Sequence, residues 1–328
     1  MKKLLDDERL IYKCCQLYYI YEKKQSEIAD DLGISRTTVS RLLQIGKNLG
    51  IVKIELKNVF GRNYESLERR LEDTFGLKEV VIVNDANIDS EKERAEHISR
   101  ETLKYLSRIL KEKEYVGVSM GYTLYNIISS KEVVDPISCT FIPVVGGAEY
   151  RQGHEECHSD IIAKGFAKKF GGKSISFFVP AVFSDKNVME YFLNEPSVKE
   201  VTKLYKKMTT VIAGVGSIDD NNTLLQTGYI SKEQLEQYRN DGAVGDCFMK
   251  FQDIDGNQSK FSDFNDRVVG LKKEELMKIK NRVAVVSGKR KAKAVIGSLK
   301  TNRINVLITD YECVQEIFRI LDEESMNA

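Results

Sequence analysis

His154-Glu155-Glu156-Cys157-His158 matches H-E-x-x-H, the pattern that sets two histidines one helical turn apart on a zinc ion with a glutamate as general base. A zinc hydrolase needs a third protein ligand as well. Lys164 stands where the last histidine of the extended motif would fall, and the next glutamate, Glu190, lies beyond Gly171-Gly172, an apolar run and a proline. Metal binding by His154, Cys157 and His158 is therefore the weaker reading, and no metal or other cofactor is expected.

Other stretches carry different chemistry. Ser119-Met120-Gly121-Tyr122-Thr123 follows an apolar run and opens a helical pattern. Its glycine, hydroxyls and backbone N–H groups suit a phosphate at a helix N-terminus. Gly146 and Gly147 form a glycine turn after another apolar run. Ser287 to Ala294, SGKRKAKA, puts Gly288 and several lysines at a further strand-to-helix junction, again suited to an anion. Asp310 ends the last apolar run, where a carboxylate can accept sugar hydroxyls. A small, anionic, hydroxylated ligand fits these loops together. One or two of Arg151, Gln152 and His158, just past the glycine turn, are expected to touch it.

The segment Gln25 to Gln44 carries a second kind of chemistry. Apolar residues recur at Ile28, Ala29 and Leu32, then at Ile34, Val39, Leu42 and Leu43, with Gly33 between the two runs. This is helix-turn-helix spacing, with glycine at the turn and Ser35 placed to cap a second helix running to about Asn48. The other face of that helix shows Ser35, Arg36, Thr37, Ser40 and Arg41. Such side chains bond phosphates and base edges when a helix N-terminus enters a major groove. Arg36 is the candidate for guanine, and Gln25 and Lys47 for the phosphate backbone. Gly50 to Leu56, GIVKIEL, alternates apolar and polar and reads as the strand of a wing.

These stretches need elements to hold them. From Glu79 onward, short apolar runs alternate with amphipathic helical patterns: EVVIVN, YVGVSM, CTFIPVV, SISFFVP, TVIAGVG, RVAVVSG and INVLITD. Helices are expected from about Ser90 to Leu110, from near Thr123, from about Cys157 to Phe170 and from about Lys291. The alternation predicts an α/β domain with a parallel sheet covered on both faces, binding its ligand beyond the carboxyl ends of the strands. Tyr64, Leu67, Leu71 and Phe75 form one apolar stripe, which suits a linker, a core helix or a dimer seam alike.

Composition is consistent with this. The 328 residues are 42% hydrophobic and 30% charged, with a formal net charge of +1, so any basic surface is local. The six cysteines are scattered without a C-x-x-C pair, as expected of core residues in a reducing compartment. MKKLLDDERL lacks an apolar signal region, and no run approaches the roughly 18 apolar residues of a membrane span. A cytoplasmic location is expected.

The helix-turn-helix with its wing, VGVSMGYTL, FIPVVGG, GAVGDCF followed by DIDGN, DRVVGL, and VAVVSGKRKAKAVIGSL running into INVLITD occur in one order. With them the chain resembles the SorC-type (SorC/DeoR) sugar-binding transcriptional regulators of bacteria over nearly its whole length. The resemblance implies a winged helix-turn-helix domain at 1–57 and, at 58–328, a Rossmann-like parallel-sheet domain similar to glucosamine-6-phosphate deaminase that binds effector and oligomerises. It implies a regulator of a carbohydrate-utilisation operon, controlled by a phosphorylated sugar and acting as a homo-oligomer, commonly a tetramer, on near-palindromic operator DNA. The family's phosphate loop falls on Ser119, Gly121 and Thr123, its glycine turn on Gly146 and Gly147, its lysine on Lys291 and its terminal acid on Asp310. Met120, Tyr122 and Ser287 depart from the usual residues, with Tyr122 bulky beside the cradle. Val145 replaces the lysine that forms a Schiff base in some members, so no covalent adduct is expected there. An enzyme of the parent sugar-phosphate isomerase or deaminase kind is the alternative. Asp219 and Asp220 remain after TVIAGVG, but no histidine follows them, so turnover is not expected.

Overall fold

The computed structural model describes residues 7–54, 64–84, 88, 90–147 and 155–327. The chain forms two compact units that divide after Arg62. Among its described residues the first contains three helices, α1 (Glu8–Tyr19), α2 (Gln25–Leu32) and α3 (Arg36–Asn48). Gly33 closes α2 in the left-handed conformation (φ 63°), where a side chain would strain the backbone. Ser35 caps α3, its Oγ accepting the Thr38 amide at 3.1 Å. Val39, Leu42 and Leu43 turn inward onto Ile28, Ala29, Ile11, Cys14 and Cys15. Gly46 lets α1 approach closely, since a Cβ there would stand 2.3 Å from the Cys15 sulfur.

The wing strand expected from Gly50 does not begin there. Gly50 is left-handed (φ 72°), and the amides of Ile51 and Val52 bond back to the Gly46 carbonyl at 3.0 and 3.3 Å. Residues 50–54 therefore wind off the end of α3, while Glu55 and Leu56 lie outside the described residues.

The second unit is an α/β domain. Its strands are β1 (Glu79–Val83), β2 (Tyr115–Val118), β3 (Thr140–Pro143), β4 (Lys173–Ser174), β5 (Met208–Ser217), β6 (Ala243–Cys247), β7 (Lys250–Asp253), β8 (Asn281–Val285) and β9 (Val306–Asp310). Seven run parallel in the order β1-β9-β8-β5-β2-β3-β4. Beyond Gly214, β5 leaves this sheet and its last residues pair antiparallel with β6, which forms a hairpin with β7. The period of two along each strand sorts side chains to two cores. Val306 and Ile308 face one and Leu307 the other, as Ile212 opposes Val211 and Ala213.

Helices α5 (Glu91–Ile109), α6 (Tyr122–Ser129) and α7 (Ser159–Phe170) cover one face. Helix α4 (Glu65–Phe75) covers the other with the two C-terminal helices. Leu71 is fully buried there, so the stripe of Tyr64, Leu67, Leu71 and Phe75 belongs to a core helix of this unit. Glu72 and Glu68 on α4 accept the Val80 and Ile82 amides of the outermost strand β1 at 3.0 and 2.9 Å. Between β4 and β5 lie α8 (Lys186–Leu193) and α9 (Pro196–Leu204). After β5 come α10 (Lys232–Asn240), α11 (Ala292–Lys300) and α12 (Tyr311–Asn327).

SISFFVP was expected to be a strand, yet β4 spans only Lys173 and Ser174, followed by a single further bond from the Ile175 amide to the Phe141 carbonyl at 2.9 Å. From Phe177 the chain turns away, because Phe177 and Val179 find a separate core with Met189, Val198 and Val269. All six cysteines are buried thiols, distributed over the cores of both units. Among the described residues no helix is long and apolar enough to cross a membrane.

Candidate functional site

The chain runs from β2 toward β3 on one side and from β5 toward β8 on the other, so the neighbouring β2 and β5 form a topological switch point. Loops that diverge beyond such a point leave a crevice. A cavity of about 650 Å³ opens there, within the size range of small-molecule sites. Ser119, Gly121, Tyr122 and Thr123 line it after β2, and Lys291 lines it at the start of α11. Gly121 (φ 129°) and Gly288 (φ 93°) both occupy positions where a Cβ would meet no atom within 4 Å, so both loops turn bare backbone toward open space. The Gly121 amide itself is engaged, donating to the Cys157 carbonyl at 2.9 Å. Tyr122 is half-buried beside Cys157, and burial pushes its hydroxyl up to about 12.

The other expected ligand residues lie elsewhere. Asp310 is fully buried and is not part of the cavity wall. One of its oxygens accepts the Ser287 hydroxyl at 2.6 Å and the Gly288 amide at 2.7 Å; the other accepts the Cys313 amide at 2.9 Å. It shapes the turn that presents Lys291, and its burial keeps it off the cavity wall. Gly146 and Gly147 answer to close packing: a Cβ on Gly146 would stand 2.3 Å from the Pro180 carbonyl oxygen, and one on Gly147 2.8 Å from the Ser159 hydroxyl. His158 is buried at the N-cap of α7, with Nδ1 3.4 Å from the Tyr229 hydroxyl. Arg151, Gln152 and His154 lie outside the described residues.

Several lining residues were not singled out by the sequence. Asp246 on β6 reaches the cavity because β6 folds back along the end of β5. Its Oδ1 accepts the Asn222 side-chain amide at 3.0 Å. Burial pushes its carboxyl up to about 6, against the opposing pull of Asn222 and Lys291. Arg94 and Glu312 arrive from the first turns of α5 and α12 as an ion pair at 3.2 Å. Phe248 and Met249, at the tip of the β6–β7 hairpin, add an apolar wall. A carboxylate within the apolar, glycine-bearing GAVGDCF was the one local signal for Asp246. Burial pushes the Lys291 ammonium down, Arg290 adds to this, and Asp246 opposes it.

The raised Asp246 carboxyl sets a pH dependence. In the native state it holds its proton up to about pH 6, whereas in the unfolded chain it releases it near the ordinary carboxylate value. The native state then binds more protons across that window, so this residue's contribution to stability falls as pH rises from about 4 to about 6. Asp246→Asn keeps the Asn222 contact and is expected to flatten that part of a melting-temperature profile against pH. An unchanged slope would assign the proton uptake to another group.

In the first unit, Ser35, Arg36, Thr37, Ser40, Arg41 and Lys47 are exposed along one side of α3, and Gln25 is half-buried at the start of α2. Among the described residues Arg36, Arg41 and Lys47 make no ion pair, whereas Lys23 and Asp31 nearby are paired at 2.6 Å. The Ser35 hydroxyl is largely committed within the protein, since it lies 2.7 Å from that of Thr37 and 2.8 Å from that of Thr38.

Residues 62–319 match the family model described as "Putative sugar-binding domain". The chain is similar to the transcriptional regulator YjhU of Escherichia coli (strain K12), 28% identical over 94% of this chain and 93% of that one. It is also similar to the deoxyribonucleoside regulator of Bacillus subtilis (strain 168), 28% identical over 93% and 96%. The full-length sorbitol operon regulator SorC of Klebsiella pneumoniae has the same architecture, with a TM-score of 0.68 at 25% identity over 95% of this chain and 99% of that one. The chain belongs to the SorC-type family of sugar-binding bacterial transcriptional regulators.

Proposed function

We propose that the chain is a DNA-binding regulator of a carbohydrate-utilisation operon and that a phosphorylated sugar in the switch-point cavity sets its operator affinity. The observation that carries this reading is the meeting of Lys291, at the start of α11, with the Ser119–Thr123 loop, at the start of α6, around one cavity. Two helix N-termini and one ammonium make an anion seat, and the polar walls suit hydroxyls. In this reading the phosphate rests on Lys291 with Thr123 and the Gly121 loop, and Asp246 bonds a sugar hydroxyl in place of Asp310.

The first unit acts as a winged helix-turn-helix, with α3 entering the major groove. Arg36 reads a guanine; Thr37, Ser40 and Arg41 contact bases or phosphates; Gln25 and Lys47 hold the backbone. The second unit is similar in plan to glucosamine-6-phosphate deaminase and forms the homo-oligomer, a tetramer in this reading. Two-fold copies read half-sites at fixed spacing, so the operator is near-palindromic and a change of oligomer geometry alters its affinity.

Thermal unfolding of the whole chain against a panel of sugars and their phosphate esters tests the sensor half. A rise in melting temperature with one ester but not with its parent sugar is expected, since a ligand that binds only the native state stabilises it. A parent sugar that acts as strongly as its ester would remove the phosphate from the reading.

A further inference from the structure

Four cationic side chains line the cavity, Arg94, Lys289, Arg290 and Lys291, but they are not equally available to a ligand. The Arg290 Nη1 lies 3.1 Å from both oxygens of Asp219. Asp219 is itself fixed, taking the Ser217 hydroxyl at 2.5 Å and the Asn221 amide at 2.8 Å. Burial would raise its carboxyl, yet these two bonds and Arg290 together hold it below the ordinary carboxylate range. Arg94 is matched by Glu312 at 3.2 Å and also donates to the Ile88 carbonyl at 3.1 Å. Lys289 is exposed to water. Lys291 is half-buried and makes no ion pair among the described residues; Asp246 acts on it through space, but no carboxylate there is bonded to it.

We infer that the site is built for a sugar carrying a single phosphate on a neutral, hydroxylated body, and that the Asp219–Arg290 pair excludes sugars with a second phosphate. This rests on the phosphorylated-sugar reading above. One phosphate is met by Lys291 and the start of α11. Apart from the solvent-exposed Lys289, a second dianion would find only arginines that already have partners, and would stand among Glu91, Asp246 and Glu312, with Asp219 behind Arg290. For Arg290 to receive it, the guanidinium must leave Asp219 and uncover a fixed carboxylate beside the incoming charge. Discrimination of this kind comes from the repulsive element as much as from the attractive one.

Isothermal titration calorimetry on the whole chain tests this with glucose 6-phosphate, fructose 6-phosphate, fructose 1-phosphate, ribose 5-phosphate and fructose 1,6-bisphosphate, all at one ionic strength. At least one monoester is expected to bind, and the bisphosphate at least about tenfold more weakly than the best of them, as like-charge contacts disfavour wrong partners. Asp219→Asn releases Arg290 and is expected to narrow that gap. Asp219→Asn combined with Arg290→Ala is expected to lose the gain, and melting curves of both variants check that each is folded. A bisphosphate that binds wild type as tightly as the best monoester overturns the inference while leaving the phosphorylated-sugar reading in place. Binding by no ester overturns both. A gap that Asp219→Asn leaves unchanged removes the pair from its role.

Discussion

Replacing Arg36 and Arg41 together by alanine is expected to weaken operator binding about 1000-fold, since a bidentate base contact is worth ~1–3 kcal/mol and a lost phosphate contact adds to it. Both side chains are exposed on the side of α3 away from Val39, Leu42 and Leu43, and neither makes an ion pair among the described residues. The melting temperature should therefore stay where it is while the affinity falls. Fluorescence anisotropy on a labelled operator at several salt concentrations separates the two kinds of contact. A lost phosphate contact lowers the slope of log affinity against log salt by about 1, whereas a lost base contact relaxes sequence preference instead. Unchanged affinity in the double variant would remove α3 from the recognition role.

Lys291→Ala is expected to raise the effector concentration for half-maximal response about 100-fold, because a hydrogen bond to a charged group contributes ~1.5–3 kcal/mol. Operator binding without effector should be unaffected, because the substitution lies in the second unit and removes a cation without an ion pair among the described residues. The measurement is a titration of operator release or capture by the ester found in the thermal panel. A response at unchanged concentration would show that the phosphate rests elsewhere. The two variants fail in opposite ways, one losing DNA and keeping effector, the other keeping DNA and losing effector.

What was legible in the sequence was what is decided locally. Gly33 and Ser35 mark the turn and cap of α3 because both roles depend on one residue's own backbone and side chain. Ser90 and Leu110 bracket α5 as its periodicity indicates. The Ser119 to Thr123 loop and Lys291 can be placed on the cavity wall for the same reason, since each follows a strand and opens a helix. The internal bonds of Asp310 are not legible in the sequence, because its carboxylate meets Ser287 and Gly288 only through the pairing of β8 with β9. Asp246 and Arg94 went unassigned for a related reason: β6 doubles back on β5, and α5 delivers Arg94 from a turn that looks merely solvated in a sequence. Helix α1 carries a weaker local signal, since its inward face is only Ile11, Cys14 and Cys15 between charged and polar residues.

The carboxylates of Glu68 and Glu72 on the backbone of β1 bear on how this protein avoids its own neighbours. An outermost strand is a template on which a foreign chain can lay down a further one, and fibrils grow by repeating that step. Here the Val80 and Ile82 amides, which would start such growth, are already bonded to charged side chains of the same chain. A newcomer would have to displace both carboxylates and leave them beside an apolar strand. At the opposite border β4 is two residues long, too short to hold a foreign strand in register. Both borders of the parallel sheet thus discourage aggregation by strand addition.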